Sequence, residues 1–344
     1  MDSFCYEENS GAKMTRILTL YFALLVTTSH AAEPTNATIE LKLGADQTLV
    51  FRRVSPQSHK IEYPDFYVLE TEVTNAQFEA YLDATNKTKD DTEVLQIITE
   101  RKKRRVFSTG DIPYSIEDAS TIWRDGKFPA GLGDHPVALV TLPDAIAFAD
   151  WTAKMHPNAG LIRLPTWNEW MITAYGKTRH YPWGNAWLPD GAHTSHGIKY
   201  KFAARLRNDP DKRPKRTEPV KARPNGRSPE GVFGLIGNVS EYILNDDPTN
   251  NAYFNLGSRS MGGGFTDGRA FLDDDNDRLT PRTDYWGYSH HATPREDDLG
   301  FRLVIDPSKN DALRKRPRIF DQNNRAWMVD DADLDLPPPP KAEQ

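Results

Sequence analysis

Residues 161–184 read LIRLPTWNEWMITAYGKTRHYPWG. Four apolar residues in this segment recur at the spacing of a single helix face: Trp167, Trp170, Met171 and Ala174. That spacing predicts an amphipathic helix. Thr166 precedes the run and Glu169 follows three residues later, which is the pattern of a capping box at the start of a helix. Pro165 is expected to end the preceding strand, 161–164, and Gly176 to end the helix.

Five further motifs stand in order along the chain. They are TEVTNAQF (71–78), HPV with DA and FADW (135–151), GVFGLIGNVSEY (231–242), GGGF (262–265) and LGFR (299–302). Together with RLPTWNEW and YPWGN in the first segment, they resemble the motifs of the formylglycine-generating enzyme family, also called the sulfatase-modifying-factor domain. Seven residues of this chain stand at positions of the family's structural motifs: Arg163, Thr166, Glu169, Trp170, Trp183, Asn238 and Arg302.

The resemblance implies an α+β fold of the C-type-lectin-like kind found in this family. Such a fold is rich in loops and combines small twisted antiparallel sheets with two packed helices. We place the sulfatase-modifying-factor-like domain at residues 32–306, with an insertion around 85–130, and a proline-rich C-terminal tail at 307–344. The insertion contains the basic run 100–105, for which a solvated helix face is preferred over a polyanion-binding site.

The first 31 residues are predicted to be a leader and signal peptide whose start is Met14. Lys13 and Arg16 precede a largely apolar run, 17–26, and the small-x-small sequence 29–31 follows it. The apolar run is too short to span a bilayer permanently. We therefore expect a secreted or periplasmic protein that keeps no transmembrane anchor after cleavage.

Composition narrows the possible partners. Of the 344 residues, 38% are hydrophobic, enough for a sizeable core, and the net charge of −6 gives no indication of nucleic-acid binding. The expected partner is an unidentified ligand or an envelope or secreted protein. The single cysteine, Cys5, would leave with the signal peptide. The mature chain would then contain no cysteine.

Copper chemistry is not expected. The resemblance implies that members producing formylglycine hold copper with two C-terminal cysteines. Counting back from Leu299 places these positions near Leu279 and Asp284. Neither residue supplies the thiolate that Cu(I) prefers. We therefore predict that the protein cannot convert cysteine to formylglycine.

Calcium is the ion that the resemblance favours. In the family, an Asn and a Glu side chain and backbone carbonyls of the 231–242 motif bind Ca²⁺. Here Glu241 keeps the carboxylate, and Gly237 and Val239 stand at carbonyl positions, but Gly234 replaces the Asn. Because Ca²⁺ takes six to eight oxygen ligands, the site is expected to be weakened. The alternative is a turn in which Glu241 and Asn238 bind backbone amides.

Two other acidic or histidine-containing groups are weaker metal candidates. Residues 273–277 (DDDND) begin like a calcium loop, but Arg278 replaces the expected glycine, so that a solvated loop is preferred. Four residues form a candidate alternative metal or catalytic cluster: Asp284, His290, His291 and Glu296. Adjacent histidines usually point apart on an extended chain.

Two functions follow from these observations. The first is an exported family member that recognises a ligand or partner without oxidising it. The alternative is a cysteine-independent, metal-dependent tailoring enzyme that acts on a secreted product. Clustering of the four acidic and histidine residues would favour the enzyme, and a groove lined with aromatic and arginine side chains would favour binding.

Overall fold

The computed structural model of the protein describes residues 38–104, 114–115, 118–186, 188–194, 214–244, 258–265, 288–290, 295–307, 320–321 and 326–327. All of them belong to a single unit, residues 36–344. The predicted signal peptide lies outside the described residues. Within them, no helix combines the length and the apolar character needed to cross a membrane.

The described elements are four α-helices, thirteen short strands and three short 3-10 helices. The helices are α1 (Asn75–Thr85), α2 (Thr92–Arg104), α3 (Leu142–Met155) and α4 (Trp167–Tyr175). The strands are β1 (Thr38–Leu43), β2 (Gln47–Val54), β3 (Phe66–Leu69), β4 (Tyr114–Ser115), β5 (Leu161–Arg163), β6 (Ser240–Ile243), β7 (Ser258–Met261), β8 (Tyr288–His290), β9 (Arg295–Glu296), β10 (Leu299–Phe301), β11 (Val304–Asp306), β12 (Phe320–Asp321) and β13 (Ala326–Trp327).

A five-stranded antiparallel sheet forms the centre of the domain. Its strand order is β1-β2-β3-β11-β5. The late strand β11 lies between β3 and β5, where Val304 pairs with Val68 on one side and with Arg163 on the other. The chain segment after the LGFR motif therefore joins the N-terminal hairpin to the middle of the chain.

Side chains that alternate along the strands of this sheet belong to two different hydrophobic clusters. Leu69 and Ile305 belong to the cluster that contains α1 and α3, whereas Val68 and Val304 belong to the cluster that contains α4. Successive strand residues point to opposite faces, so the sheet is covered by helices on both sides. In the first cluster the ring of Phe148 stacks on Phe78 and meets Phe301 edge-on, at centroid distances of 5.8 and 5.5 Å.

A second sheet has the order β10-β6-β7-β8. Its β10–β6 pair is parallel, as is the separate β4–β9 pair, and the other paired strands are antiparallel. The prediction of an α+β fold with small antiparallel sheets and packed helices is confirmed, with these two parallel pairs added. Parallel pairing is possible here because long segments of chain connect the paired strands. β12 and β13 pair within the segment predicted as a tail.

Local signals place the starts of three helices. The capping box predicted at Thr166 and Glu169 is present, and Thr74–Gln77 and Thr141–Asp144 form two more. Gly176 ends α4 with a positive φ of 52° but a ψ of −134°, outside the left-handed helical region. The four predicted apolar residues of α4 all pack in or against the second cluster.

The α4 cap gives a first testable prediction. Thr166→Ala removes the hydroxyl that accepts from the Glu169 amide, and it should lower the free energy of unfolding by about 1 kcal/mol. Thr166→Ser keeps the acceptor and should stay close to wild type. Urea unfolding measures both. Equal losses for the two variants would assign the effect to the methyl group and not to the cap.

Candidate functional site

A fully buried polar group is centred on Arg302, which directly follows β10. Arg302 and Glu241 of β6 are both fully buried. The guanidinium Nε and Nη2 donate to the two Glu241 oxygens at 2.5 and 2.6 Å, and Trp170 Nε1 donates to Oε2 at 3.1 Å. The parallel pairing of Gly300 with Glu241 sets this geometry because it brings the ends of β10 and β6 together.

Arg302 also binds two backbone carbonyls. Its Nη1 donates to Leu69 O at 3.1 Å and its Nη2 to Phe233 O at 2.8 Å. Every nitrogen of the guanidinium therefore has an acceptor, which buried charge requires. The group links β3, β6 and the 233 loop, which is the segment 231–239 before β6.

Glu72 is a second fully buried carboxylate near this ion pair. Its Oε1 accepts from Asn238 Nδ2 at 3.0 Å. Its Oε2 has no hydrogen-bond partner among the described residues. Gly234 leaves room for that oxygen, since a Cβ at this position would overlap the Glu72 carboxylate. The glycine that replaces the family's Asn thus accommodates Glu72, a neighbour that the sequence did not identify.

The surroundings of Glu72 favour its neutral form. Burial raises its pKa, the Arg302 charge lowers it and the Glu241 charge raises it again, so that the pKa is about 8. Desolvation dominates because a carboxylate in a low-dielectric interior loses its hydration. At neutral pH, Glu72 is therefore predominantly protonated.

Other motif residues also make contacts that stabilise the fold. Arg163 donates two hydrogen bonds to Glu169, at 2.7 and 2.8 Å, and Glu169 Oε2 accepts from the Thr166 amide at 2.8 Å. Trp183 stacks on Tyr181 at a centroid distance of 5.3 Å. These side chains fix the α4 segment and the turn after it.

The calcium prediction for Glu241, Gly237 and Val239 stays a prediction. Among the described residues, the Glu241 carboxylate bonds to side-chain donors of Arg302 and Trp170. Asn238 Oδ1 accepts from the Glu218 backbone amide at 2.9 Å, the kind of bond that the alternative interpretation gives to Asn238. A calcium ion at these oxygens would have to share them with a guanidinium cation. Gly237, one of the residues predicted to supply a carbonyl to calcium, donates its amide to Gly262 O at 3.1 Å.

The alternative metal cluster is only partly described. His290 ends β8 in the second sheet, whereas Glu296 lies on β9, which pairs with β4. Asp284 and His291 lie outside the described residues, as do Cys5 and the acidic run 273–277. Among the side chains that the structure does describe, no group of three or more His, Cys, Asp or Glu residues is arranged to hold a metal ion.

A partly enclosed pocket of about 390 Å³ lies where β2, the end of β3, the start of α1 and two loops meet. A volume of this size is within the range of small-molecule sites. The polar side chains that line it include Thr48, Glu70, Thr74, Gln77, Asp134 and Lys221. The sequence did not predict this pocket. Its residues are far apart in the chain, and no motif among those quoted above marks Glu70 or Lys221.

Buried Glu70 is the charged centre of the pocket wall. Its Oε1 accepts from Arg52 Nη2 at 2.5 Å, and its Oε2 accepts from Lys221 Nζ at 2.5 Å. Burial raises the pKa of Glu70, but the hydrogen bonds from Lys221 and Arg52 outweigh burial and hold that pKa below its ordinary value. Glu70 is therefore an anion at neutral pH.

Comparisons with known proteins agree on one family. A model of the sulfatase-modifying factor enzyme 1-like domain matches residues 27–307. The formylglycine-generating enzyme of Mus musculus is 27% identical over 214 residues, covering 58% of this chain and 54% of that protein. The enzyme of the same name from Streptomyces coelicolor is 30% identical over 197 residues, covering 54% and 59%.

The chain thus spans little more than half the length of these curated relatives. Among solved structures, Treponema denticola variable protein 1 is similar with a TM-score of 0.48 at 16% identity, covering 79% of this chain and all of that one.

Glu72 predicts an unusual dependence of stability on pH. The folded state holds its proton up to a pKa of about 8, whereas an unfolded glutamate releases it near 4.5. Stability from this group is complete below pH 4.5 and falls as pH rises to about 8, in total by a few kcal/mol. Glu72→Gln should flatten this slope and gain stability relative to wild type at pH 8. Urea unfolding of both proteins from pH 5 to 9 measures the free energy of unfolding at each pH.

The matched control for this experiment is Glu62→Gln. Glu62 is exposed, so its amide variant should keep the wild-type slope between pH 5 and 9. The charged groups that act on Glu72 are Arg302 and Glu241, both fully buried. A Glu72→Gln variant that still lost stability as steeply as wild type would contradict the raised pKa.

Glu241→Gln separates the ion pair from the calcium prediction. The amide removes the carboxylate that is bonded to the buried Arg302 guanidinium, and the variant should lose about 3–5 kcal/mol in calcium and in chelator alike. Thermal and urea unfolding of both proteins in both buffers measures the loss. If chelator destabilised wild type but not the variant, Glu241 would be a calcium ligand.

Proposed function

Since the chain belongs to the sulfatase-modifying factor enzyme 1-like domain family, we propose that it is a member that binds a ligand or partner and does not oxidise cysteine to formylglycine. One observation carries the proposal. The region that matches the family contains no cysteine, because the single cysteine of the chain is Cys5. Without thiolates, the soft ligands that Cu(I) needs are absent from this region.

The arrangement of the motif residues supports a structural role for them, with ligand binding at another place on the domain. Glu241, Arg302 and Trp170 are buried and bonded to one another, so that they hold the sheets and α4 in place. The pocket beside Glu70 offers a solvent-accessible volume lined by polar and apolar groups, although its lining, among the described residues, contains neither the aromatic nor the arginine side chains expected of a binding groove. A family fold that keeps its core and retains an open pocket is suited to recognition.

The proposal includes export. The N-terminal basic residues, the apolar run 17–26 and the small-x-small sequence 29–31 favour cleavage after Ala31. Protein recovered from the medium or the periplasm should accordingly begin at Ala32. Nothing observed among the described residues favours the alternative function, a metal-dependent tailoring enzyme. Two members of its candidate cluster, Asp284 and His291, lie outside those residues.

A peptide assay tests the absence of oxidase activity. A C-x-P-x-R peptide incubated with the purified protein, copper and a reductant should keep its thiol, because residues 27–307 contain no thiolate to bind Cu(I). Mass spectrometry follows the conversion of thiol to aldehyde. The Streptomyces coelicolor formylglycine-generating enzyme serves as the positive control. Aldehyde formation by this protein above the copper-only background would refute the proposal.

A further inference from the structure

We propose that the pocket beside Glu70 binds a small molecule through a primary ammonium group, and that Lys221 occupies the position of that ammonium in the free protein. The inference rests on the proposed role of the chain as a binding protein and assigns it a site and a ligand class. Its basis is the way in which the two Glu70 oxygens are shared between a fixed and an exchangeable cation.

Arg52 is the fixed cation. It belongs to β2 and pairs in register with Thr38 and Val68 on the neighbouring strands. Its Nε and Nη2 both donate to Glu70 Oε1, at 3.2 and 2.5 Å. Because the guanidinium is a planar fork held by a strand inside the sheet, it keeps this oxygen occupied.

Lys221 is the exchangeable cation. It lies on a segment, 214–223, that contains neither an α-helix nor a β-strand. The Lys221 side chain is 57% exposed, whereas that of Glu70 is only 6% exposed. The Lys221 ammonium also lies over the Phe233 ring, 5.9 Å from its centroid. Because the ammonium is on a flexible four-carbon stem that water already reaches, it can move aside, and a second ammonium then meets the same Glu70 Oε2.

The charges of the pocket favour a cation over an anion. The charged residues among its lining are Glu70, Asp134 and Lys221; together with Arg52, which is bonded to Glu70, they sum to 0, and the sum becomes −1 when Lys221 moves away. An ammonium ligand restores the neutralisation of Glu70 that Lys221 provided. A carboxylate or phosphate would face two acidic side chains.

The start of α1 does not create an anion site at this pocket. The Thr74 and Gln77 amides are engaged by the reciprocal capping box, at 3.0 and 3.2 Å. The Asn75 and Ala76 amides donate to the carbonyls of His135 and Gly133, at 2.9 and 3.0 Å. Because these amides already have acceptors, the helix end offers no free donors to an anionic group.

The remaining lining fits the rest of a small amine. Thr48 and Thr74 provide hydroxyl groups, and Val50, Leu69 and Val220 provide apolar surface. A ligand of amino-sugar or diamine size could therefore make hydrogen bonds and apolar contacts while its ammonium reaches Glu70. The size of the pocket, about 390 Å³, favours a small molecule over a folded partner.

The experiment compares amines with neutral counterparts of the same shape. Butylamine, putrescine and glucosamine are titrated against the protein by calorimetry and by NMR, beside butanol, butanediol and glucose. We expect at least one amine to bind and its neutral counterpart not to bind. Lys221→Met keeps the apolar stem but removes the competing ammonium, so it should bind that amine roughly tenfold more tightly or better.

Two further variants locate the binding. Glu70→Gln removes the acceptor charge and should abolish binding of the amine. Lys127→Met is the matched control, because the Lys127 side chain is 65% exposed and pairs with Glu79 away from the pocket lining. It should bind like wild type. Thermal melts verify that each variant is folded.

Several results would overturn the inference. One is the failure of Lys221→Met, a folded surface variant, to bind any of the three amines. Others are equal binding of an amine and its neutral counterpart, or amine binding that folded Glu70→Gln retains. These failures leave the proposed function intact if the peptide assay is negative. Conversely, aldehyde formation in that assay would refute the proposed function even if the pocket bound an amine.

Discussion

Burial of the Arg302 guanidinium is the constraint on which the domain depends most. Removing such a group from water is costly, and the cost is offset only when a counter-charge and enough acceptors surround it. Here Glu241 supplies the charge, and Leu69 and Phe233 supply carbonyls. These partners come from β6, β3 and the 233 loop. A displacement of Glu241 would leave an unpaired charge inside the core, and a displacement of either carbonyl would remove an acceptor from the buried guanidinium, so the two sheets are held in one arrangement.

The parts of the fold that the sequence predicted are those with local causes. α4 and its cap follow from Thr166, Glu169 and an apolar spacing within nine residues. The resemblance to a known family extended this to distant motifs and identified Glu241 and Arg302 as important residues. It could not reveal that these two bind each other, because a motif gives the type of a residue and not its contacts.

The unpredicted features are contacts between distant residues. Asn238 and Glu72 are separated by 166 positions, and Lys221 and Glu70 by 151. Neither pair has a spacing that a helix or strand would produce, so only the folded chain brings them together. Gly234 shows the same limit. Its identity suggested the loss of a calcium ligand, but its position beside Glu72 shows which neighbour fills the space that an asparagine side chain would need.

The place of β11 in the five-stranded sheet has a consequence for the order in which the chain is synthesised. β3 and β5 leave the ribosome well before β11, the strand that takes its place between them. Until residues 304–306 emerge, each of these strands lacks the neighbour that will bind its edge, and such edges pair readily with other chains. We therefore expect a nonsense mutation just before residue 304 to separate β5 from the other three strands of the sheet. A truncation so near the end of the domain would then act as a core mutation.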